Sequence, residues 1–170
     1  LVPFGEFLPL RDSLNFLERI VGPNNFSSGN EQRLINLPNN ISFIPVICYE
    51  IVFYWKLINK LNYKSNFIIN ITNDFWFGKY IGPYQHLYLT KIRAAEFNKP
   101  IIRVSNNGIS AVIDNNGRVL NKTELNNTQK FKHTLLFQDN NNFVNIHFIF
   151  KIYLFIIFIL TIFYYSKKNV

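Results

Sequence analysis

Apolar positions fall in short blocks along most of the chain, separated by asparagine-rich runs, and in one long block near its end. Residues 11–21 place Leu14, Leu17 and Val21 at helical spacing, and Gly22-Pro23 stops the pattern. Residues 24–40 are rich in Asn, Ser and Gly and read as a loop. The run 41–48 (ISFIPVIC) is short and almost wholly apolar, which predicts a buried strand. Residues 51–61 follow as a helix with Leu57, Ile58 and Leu61 inward. A second buried strand is predicted over 67–72 (FIINIT), then a loop over 73–83. Residues 84–98 form a helix that packs Leu87, Ile92 and Ala95 and pairs Arg93 with Glu96 one turn on. Strands follow at 100–105 and 110–114, the second entering the turn Asn115-Asn116-Gly117. Residues 130–137 are a further strand candidate. Strands alternating with helices predict an α/β layered architecture.

The long block decides the compartment. Residues 145–165 read NIHFIFKIYLFIIFILTIFYY, and from Ile152 to Tyr165 only Thr161 and the tyrosine hydroxyls are polar. About 20 residues at 1.5 Å rise cover the ~30 Å hydrocarbon core of a bilayer, so a transmembrane helix is expected over 143–166. Lys151 lies near its front edge, where its stem can carry the charge outward. Tyrosines and then Lys167 and Lys168 close the span. Basic flanks stay cytoplasmic, which places 167–170 inside as a short tail and 1–142 outside. The DNNN run at 139–142 is the linker into the span.

Composition narrows the class. With 170 residues, 48% hydrophobic and 16% charged, the chain is sized for one soluble domain and is oilier than the usual ~25% charged. A disordered chain needs the opposite balance. The lone cysteine, Cys48, excludes a disulfide scaffold, and seven glycines with seven prolines exclude collagen-like repeats. The chain has no methionine and opens on Leu1 inside an apolar phrase, LVPFGEFLPL, so its natural start is expected upstream. Net charge is +8, with −2 over residues 1–55 and +10 over 56–170. The lysines are scattered singly, as on a solvated face, and no basic cluster interleaved with aromatics points to nucleic acid.

Few residues are placed for chemistry. Cys48 ends a buried strand just before a helix, where α/β sheets open into a crevice. A helix start there lowers a thiol pKa, and the Tyr49 amide is positioned to hold an oxyanion. An inert buried cysteine is the alternative on position alone. Glu50 and Glu6 are carboxylates that burial can tune, or else surface or capping groups. Asp74, Trp76 and Gly78 form a polar and aromatic loop after a strand, and His86 lies near a helix start. No metal-ligand spacing and no glycine-rich phosphate loop occur, so neither metal nor cofactor is expected.

Five phrases in order resemble one family: residues 1–9 (LVPFGEFLP), Cys48-Tyr49-Glu50, 73–86 (NDFWFGKYIGPYQH), Arg93-Ala94-Ala95-Glu96 and 106–114 (NNGISAVID). They look like the C-terminal part of the apolipoprotein N-acyltransferases, membrane enzymes of the nitrilase superfamily. The resemblance implies residues 1–142 as the C-terminal part of a nitrilase-like αββα sandwich, partial because its N-terminal half is missing, on the periplasmic side of the inner membrane. It implies acyl transfer from a phospholipid to the N-terminal amine of diacylglyceryl-cysteine in apolipoproteins, through a thioester on Cys48. Glu6, Tyr49 and Glu50 match supporting positions. The triad lysine and glutamate of the superfamily fall before Leu1, so Lys56, Lys79 and Glu6 do not replace them, and the 170 residues alone are expected to be inactive. Competing readings are a nitrilase-type amidase on a small C–N substrate and a non-catalytic, membrane-tethered remnant.

Overall fold

Residues 26, 34–53, 57, 65–136 and 146–168 are described in the structure, a computed structural model, with side chains of the last helix described over 149–165. Two units are distinguished, 1–139 and 140–170. The first holds a six-stranded mixed sheet in sequential order: β1 (Ile35–Asn36), β2 (Ser42–Ile47), β3 (Phe67–Thr72), β4 (Ile101–Ser105), β5 (Ala111–Ile113) and β6 (Val119–Lys122). β2, β3 and β4 run parallel, and the strands outside them pair antiparallel.

Central parallel strands are flanked on both edges, which is why ISFIPVIC and FIINIT read as near-continuous apolar runs. Register aligns Ile44 with Ile68 and Val46 with Asn70, and then Asn70 with Arg103 on β4. Period-two alternation puts those residues and Thr72 on one face. Ile44, Val46, Ile68 and Ile101 are buried there. The opposite face is apolar but open at its C-terminal end, where Ile47, Ile71 and Val104 are each half exposed.

Helix α1 (Ile81–Phe97) buries Pro83, His86, Leu87, Thr90, Ala94 and Phe97, the spacing of one helical stripe. It stops at Asn98, whose left-handed backbone (φ 49°) ends the hydrogen-bond ladder ahead of Pro100. The turn expected at 115–117 is present. Gly117 takes φ 78°, and the Asp114 carboxylate accepts from the Asn116 and Arg118 amides at 2.9 and 2.7 Å.

Several expectations change. β1 lies inside the stretch read as loop, and β6 was not foreseen. Residues 130–136 form no strand: 130–134 and Leu136 are exposed, and β6 is the last strand of the sheet. Where a helix was expected from 51, a 3₁₀ turn, Cys48–Val52, takes the first two residues and Phe53 ends it; of residues 54–61 only Leu57, helical and buried, is described. The helix at 11–21 lies outside the described residues.

The second unit contains α2 (Ile146–Lys168), 23 residues. Among the described residues no helix is long and apolar enough to cross a membrane. The transmembrane helix expected over 143–166 is therefore not established by the fold. Side chains of α2 are described over 149–165. Every one of those side chains is exposed. Thr161 turns its hydroxyl back onto its own helix, donating to the Ile157 and Phe158 carbonyls at 3.0 and 2.7 Å.

Candidate active site

Cys48 is the first residue after β2 and begins the 3₁₀ turn, with a left-handed backbone at φ 49°. A non-glycine residue there is strained, and such strain persists only where surrounding contacts hold it. Three contacts do so. The Asn70 side-chain amide donates to the Val46 and Cys48 carbonyls at 3.2 and 3.1 Å. The Glu50 carboxylate accepts from the Ile47 amide at 3.2 Å, closing the turn from its own side. Arg93 of α1 donates from Nε to the Ile51 carbonyl (3.1 Å) and from Nη2 to the Val52 carbonyl (2.9 Å), while Nη1 pairs with Glu96. Those two carbonyls end the 3₁₀ turn, so Arg93 supplies the donors the turn's terminus lacks.

Beneath the thiol lies a buried polar cluster. The Thr72 hydroxyl is 3.4 Å from Cys48 Sγ and 3.1 Å from Asp74 Oδ1. Asp74 Oδ1 also meets His86 Nδ1 at 2.8 Å, and Oδ2 accepts from Arg103 Nη2 at 2.6 Å. Arg103 donates further to Asn70 Oδ1 (2.8 Å), Thr90 Oγ1 (3.2 Å) and the Ile109 carbonyl (3.2 Å). Asp74, His86 and Arg103 are each 1% exposed, and Asn70 and Thr90 are fully buried. Buried charges persist when paired and hydrogen-bonded, and this pair is both.

Burial pushes the Asp74 carboxyl up. The hydrogen bond from His86 and the Arg103 guanidinium outweigh it and hold the group at about 2. Asp74 is thus an acceptor only, which puts the proton of His86 on Nδ1. Arg103 Nη2, 3.2 Å from that nitrogen, therefore makes contact without a hydrogen bond. Desolvation lowers the Arg103 pKa, opposed by Asp74 and by Cys48.

His86 Nε2 is buried with no hydrogen-bond partner among the described residues. The ring packs against Tyr49 and Phe77, at centroid distances of 5.3 and 5.4 Å, and those two rings also meet each other at 5.6 Å. An open groove of about 550 Å³ runs along these rings, lined also by Tyr84, Tyr88 and Leu89. Next to it Phe75, Trp76 and Tyr80 stand 68, 85 and 85% exposed, too much for core packing. Of the aromatic trio after β3, only Phe77 packs inward.

Cys48, Tyr49, Glu50, Asp74 and His86 therefore come together, whereas Glu6 lies outside the described residues. Sequence reading missed Asn70, Thr72, Thr90, Arg93 as a clamp, and Arg103. One signal was available for two of them: Asn70 and Arg103 are lone polar residues inside apolar strands, where each must find a partner. Among the described residues no group of three or more His, Cys, Asp or Glu is placed to hold a metal ion.

The site is thus a cysteine at the C-terminal end of a parallel strand of an α/β sheet, its turn braced from a neighbouring helix. Residues 16–135 match the carbon-nitrogen hydrolase family, and the chain belongs to it. It is 46% identical over 129 residues to an apolipoprotein N-acyltransferase of Allorhizobium ampelinum, covering 74% of this chain and 24% of that protein. It is 43% identical over 126 residues to that of Rickettsia typhi, covering 74% and 25%. The chain thus spans about a quarter of the length of these relatives. Among solved structures, Saccharomyces cerevisiae Nit3, a nitrilase superfamily member, aligns with TM-score 0.50 at 17% identity, covering 64% of this chain and 42% of Nit3. The glutamine-dependent NAD+ synthetase of Acinetobacter baumannii aligns with TM-score 0.51 at 14% identity, covering 66% and 22%. These two likenesses concern the fold alone: nitrilase-like, with a mixed sheet.

Proposed function

We propose that this chain carries the nucleophile of an apolipoprotein N-acyltransferase that works at a membrane. The observation that carries the reading is the placement of Cys48: a strained, half-buried thiol at the end of a central parallel strand, within a sequence 46% identical to a relative of that name. The Cys48 thiolate attacks the ester carbonyl of a phospholipid. A C–S bond forms, the ester C–O bond breaks, and the lysophospholipid leaves with the proton that the thiol gave up. The α-amine of a diacylglyceryl-cysteine then attacks the thioester, the amide forms, and the amine proton returns to sulfur. A thioester suits this sequence because it stays reactive toward an amine. The Tyr49 amide supports the oxyanion, Glu50 closes the turn through the Ile47 amide, and Glu6 is a supporting residue by its match to the family phrase alone.

Two features support a lipid substrate. A groove lined by Tyr49, the residue after Cys48, is walled by aromatic rings, and the loop that supplies Phe77 to it also leaves Phe75, Trp76 and Tyr80 exposed. Helix α2, apolar on every side and closed by tyrosines and two lysines, supports a span that leaves residues 1–142 outside and 167–170 inside. The test uses the full-length protein in membrane vesicles with a lipoprotein bearing a free N-terminal amine. Right-side-out vesicles are expected to add one acyl chain to it by mass, and inverted vesicles none. Turnover of small amides with no acyl transfer would replace this reading by the amidase one.

A further inference from the structure

The acyl-transfer scheme gives no task to the buried cluster under the thiol. We propose that the Thr72 hydroxyl is the hydrogen-bond donor to the Cys48 thiolate, handed to the sulfur by the Asp74–His86–Arg103 cluster behind it. The inference rests on Cys48 being the nucleophile and deepens that assignment.

Thr72 Oγ1 stands between two acceptors, 3.4 Å from Sγ and 3.1 Å from Asp74 Oδ1, with Thr72 itself 5% exposed. A hydroxyl has one proton and two lone pairs. While Cys48 is a thiol, S–H donates to Oγ1 and Oγ1–H donates to Asp74. Once the thiol ionises, sulfur can only accept, and the single Thr72 proton must serve it or the carboxylate. Asp74 can release that proton at little cost. Its Oδ1 keeps the bond from His86 Nδ1 at 2.8 Å, and its Oδ2 keeps Arg103 Nη2 at 2.6 Å. The hydroxyl therefore turns to sulfur, and no proton enters or leaves the cluster. Arg103 stays a buried cation, paired with Asp74 behind the threonine.

His86 and Arg103 act as positioning residues. They never touch sulfur, but they keep Asp74 satisfied after it gives up Thr72. Arg103 also steadies the Cys48 carbonyl through Asn70, which accepts from Nη1 at 2.8 Å and donates to that carbonyl at 3.1 Å. Two hydrogen-bond paths from one guanidinium thus converge on the two ends of Cys48. Hydrogen bonds to charged groups are roughly twice as strong as neutral ones, which makes the Thr72 bond one that counts in the ionised state.

Alkylation of Cys48 by iodoacetamide across pH, in the detergent-solubilised full-length chain, reads thiolate formation directly. Thr72→Val is expected to move the midpoint of the rate profile up by about one to two pH units, and Thr72→Ser to restore it. Thr72→Ala, smaller than the original, takes the place of the valine variant if that one fails to fold by circular dichroism. An unshifted midpoint in the folded variant overturns the proposal, as does a serine variant shifted as far as the valine one. Acyl transfer is not measured, so the two readings fail separately. A Thr72-dependent profile in a protein that moves no acyl chain refutes the transferase reading alone.

Discussion

Asp74→Asn is expected to cost about 3–5 kcal/mol of unfolding free energy, read as a fall in the urea midpoint of the full chain with an unchanged slope. The substitution keeps shape and volume, so packing loss is small. What it removes is the negative charge facing Arg103, which is 1% exposed and pairs with no other acid among the described residues. A guanidinium cannot shed its proton to escape, so the cation stays buried and unpaired. The same variant fixes a pH signature. Asp74 is held at about 2 against an ordinary value of 3.8, so ionised Asp74 favours the folded state. That contribution, about 2 kcal/mol, is complete above pH ~4 and is lost as pH falls through about 2. The gap between wild type and Asp74→Asn should therefore be widest at neutral pH and narrow in acid.

Gly108→Ala is the second large effect. A Cβ at Gly108 would lie 2.1 Å from Asp74 Oδ2 and 2.4 Å from Ser105 Oγ. Neither atom is free to yield. Oδ2 is the oxygen that holds Arg103, and Ser105 Oγ accepts from the Gly108 amide at 3.1 Å. Overpacking against groups that can shift costs about 1–3 kcal/mol, and here relief requires parting the buried ion pair. A loss at the top of that range or beyond is expected, read as a drop in Tm. Gly78→Ala provides the contrast. Nothing lies within 4 Å of its added methyl, so the cost there, about 1–3 kcal/mol, is backbone strain alone, from φ 68° with ψ −157°, and the buried ion pair is left intact. The NNG phrase at 106–108 is thus a close approach of backbone to the Asp74 carboxylate.

Much of this was legible before any coordinates. The apolar runs at 41–48 and 67–72 marked two of the three parallel strands, since their residues are apolar on both faces of the sheet although one face stays partly open. The helix over 84–98 is present and begins three residues earlier than expected, but of Leu87, Ile92 and Ala95 only Leu87 lies on its buried stripe, which passes through Ala94 and leaves Ala95 exposed. β1 and β6 were not readable, since strands of two and four residues whose side chains are at most half-buried carry no pattern against the surrounding asparagines. At the site, Cys48, Asp74 and His86 could be singled out one by one, each with an ordinary alternative. What joins them is tertiary: Thr72, Asn70 and Arg103 reach the cysteine only because parallel register sets β3 between β2 and β4. Spacing along the chain holds no trace of that. His86 is the instructive case, because position near a helix start suggests a structural role, whereas its ring bridges a buried carboxylate and the aromatic wall beside the thiol.

The most direct measurement is the chemical state of Cys48 during turnover. Full-length protein incubated with a phospholipid labelled in its acyl chain, with no acceptor present, should hold the label on the peptide containing Cys48. Neutral hydroxylamine should release it, and Cys48→Ser should show no hydroxylamine-labile label. Label of that lability persisting in Cys48→Ser, or acyl transfer to acceptor at an undiminished rate in that variant, would contradict the assignment of this thiol as the acyl carrier.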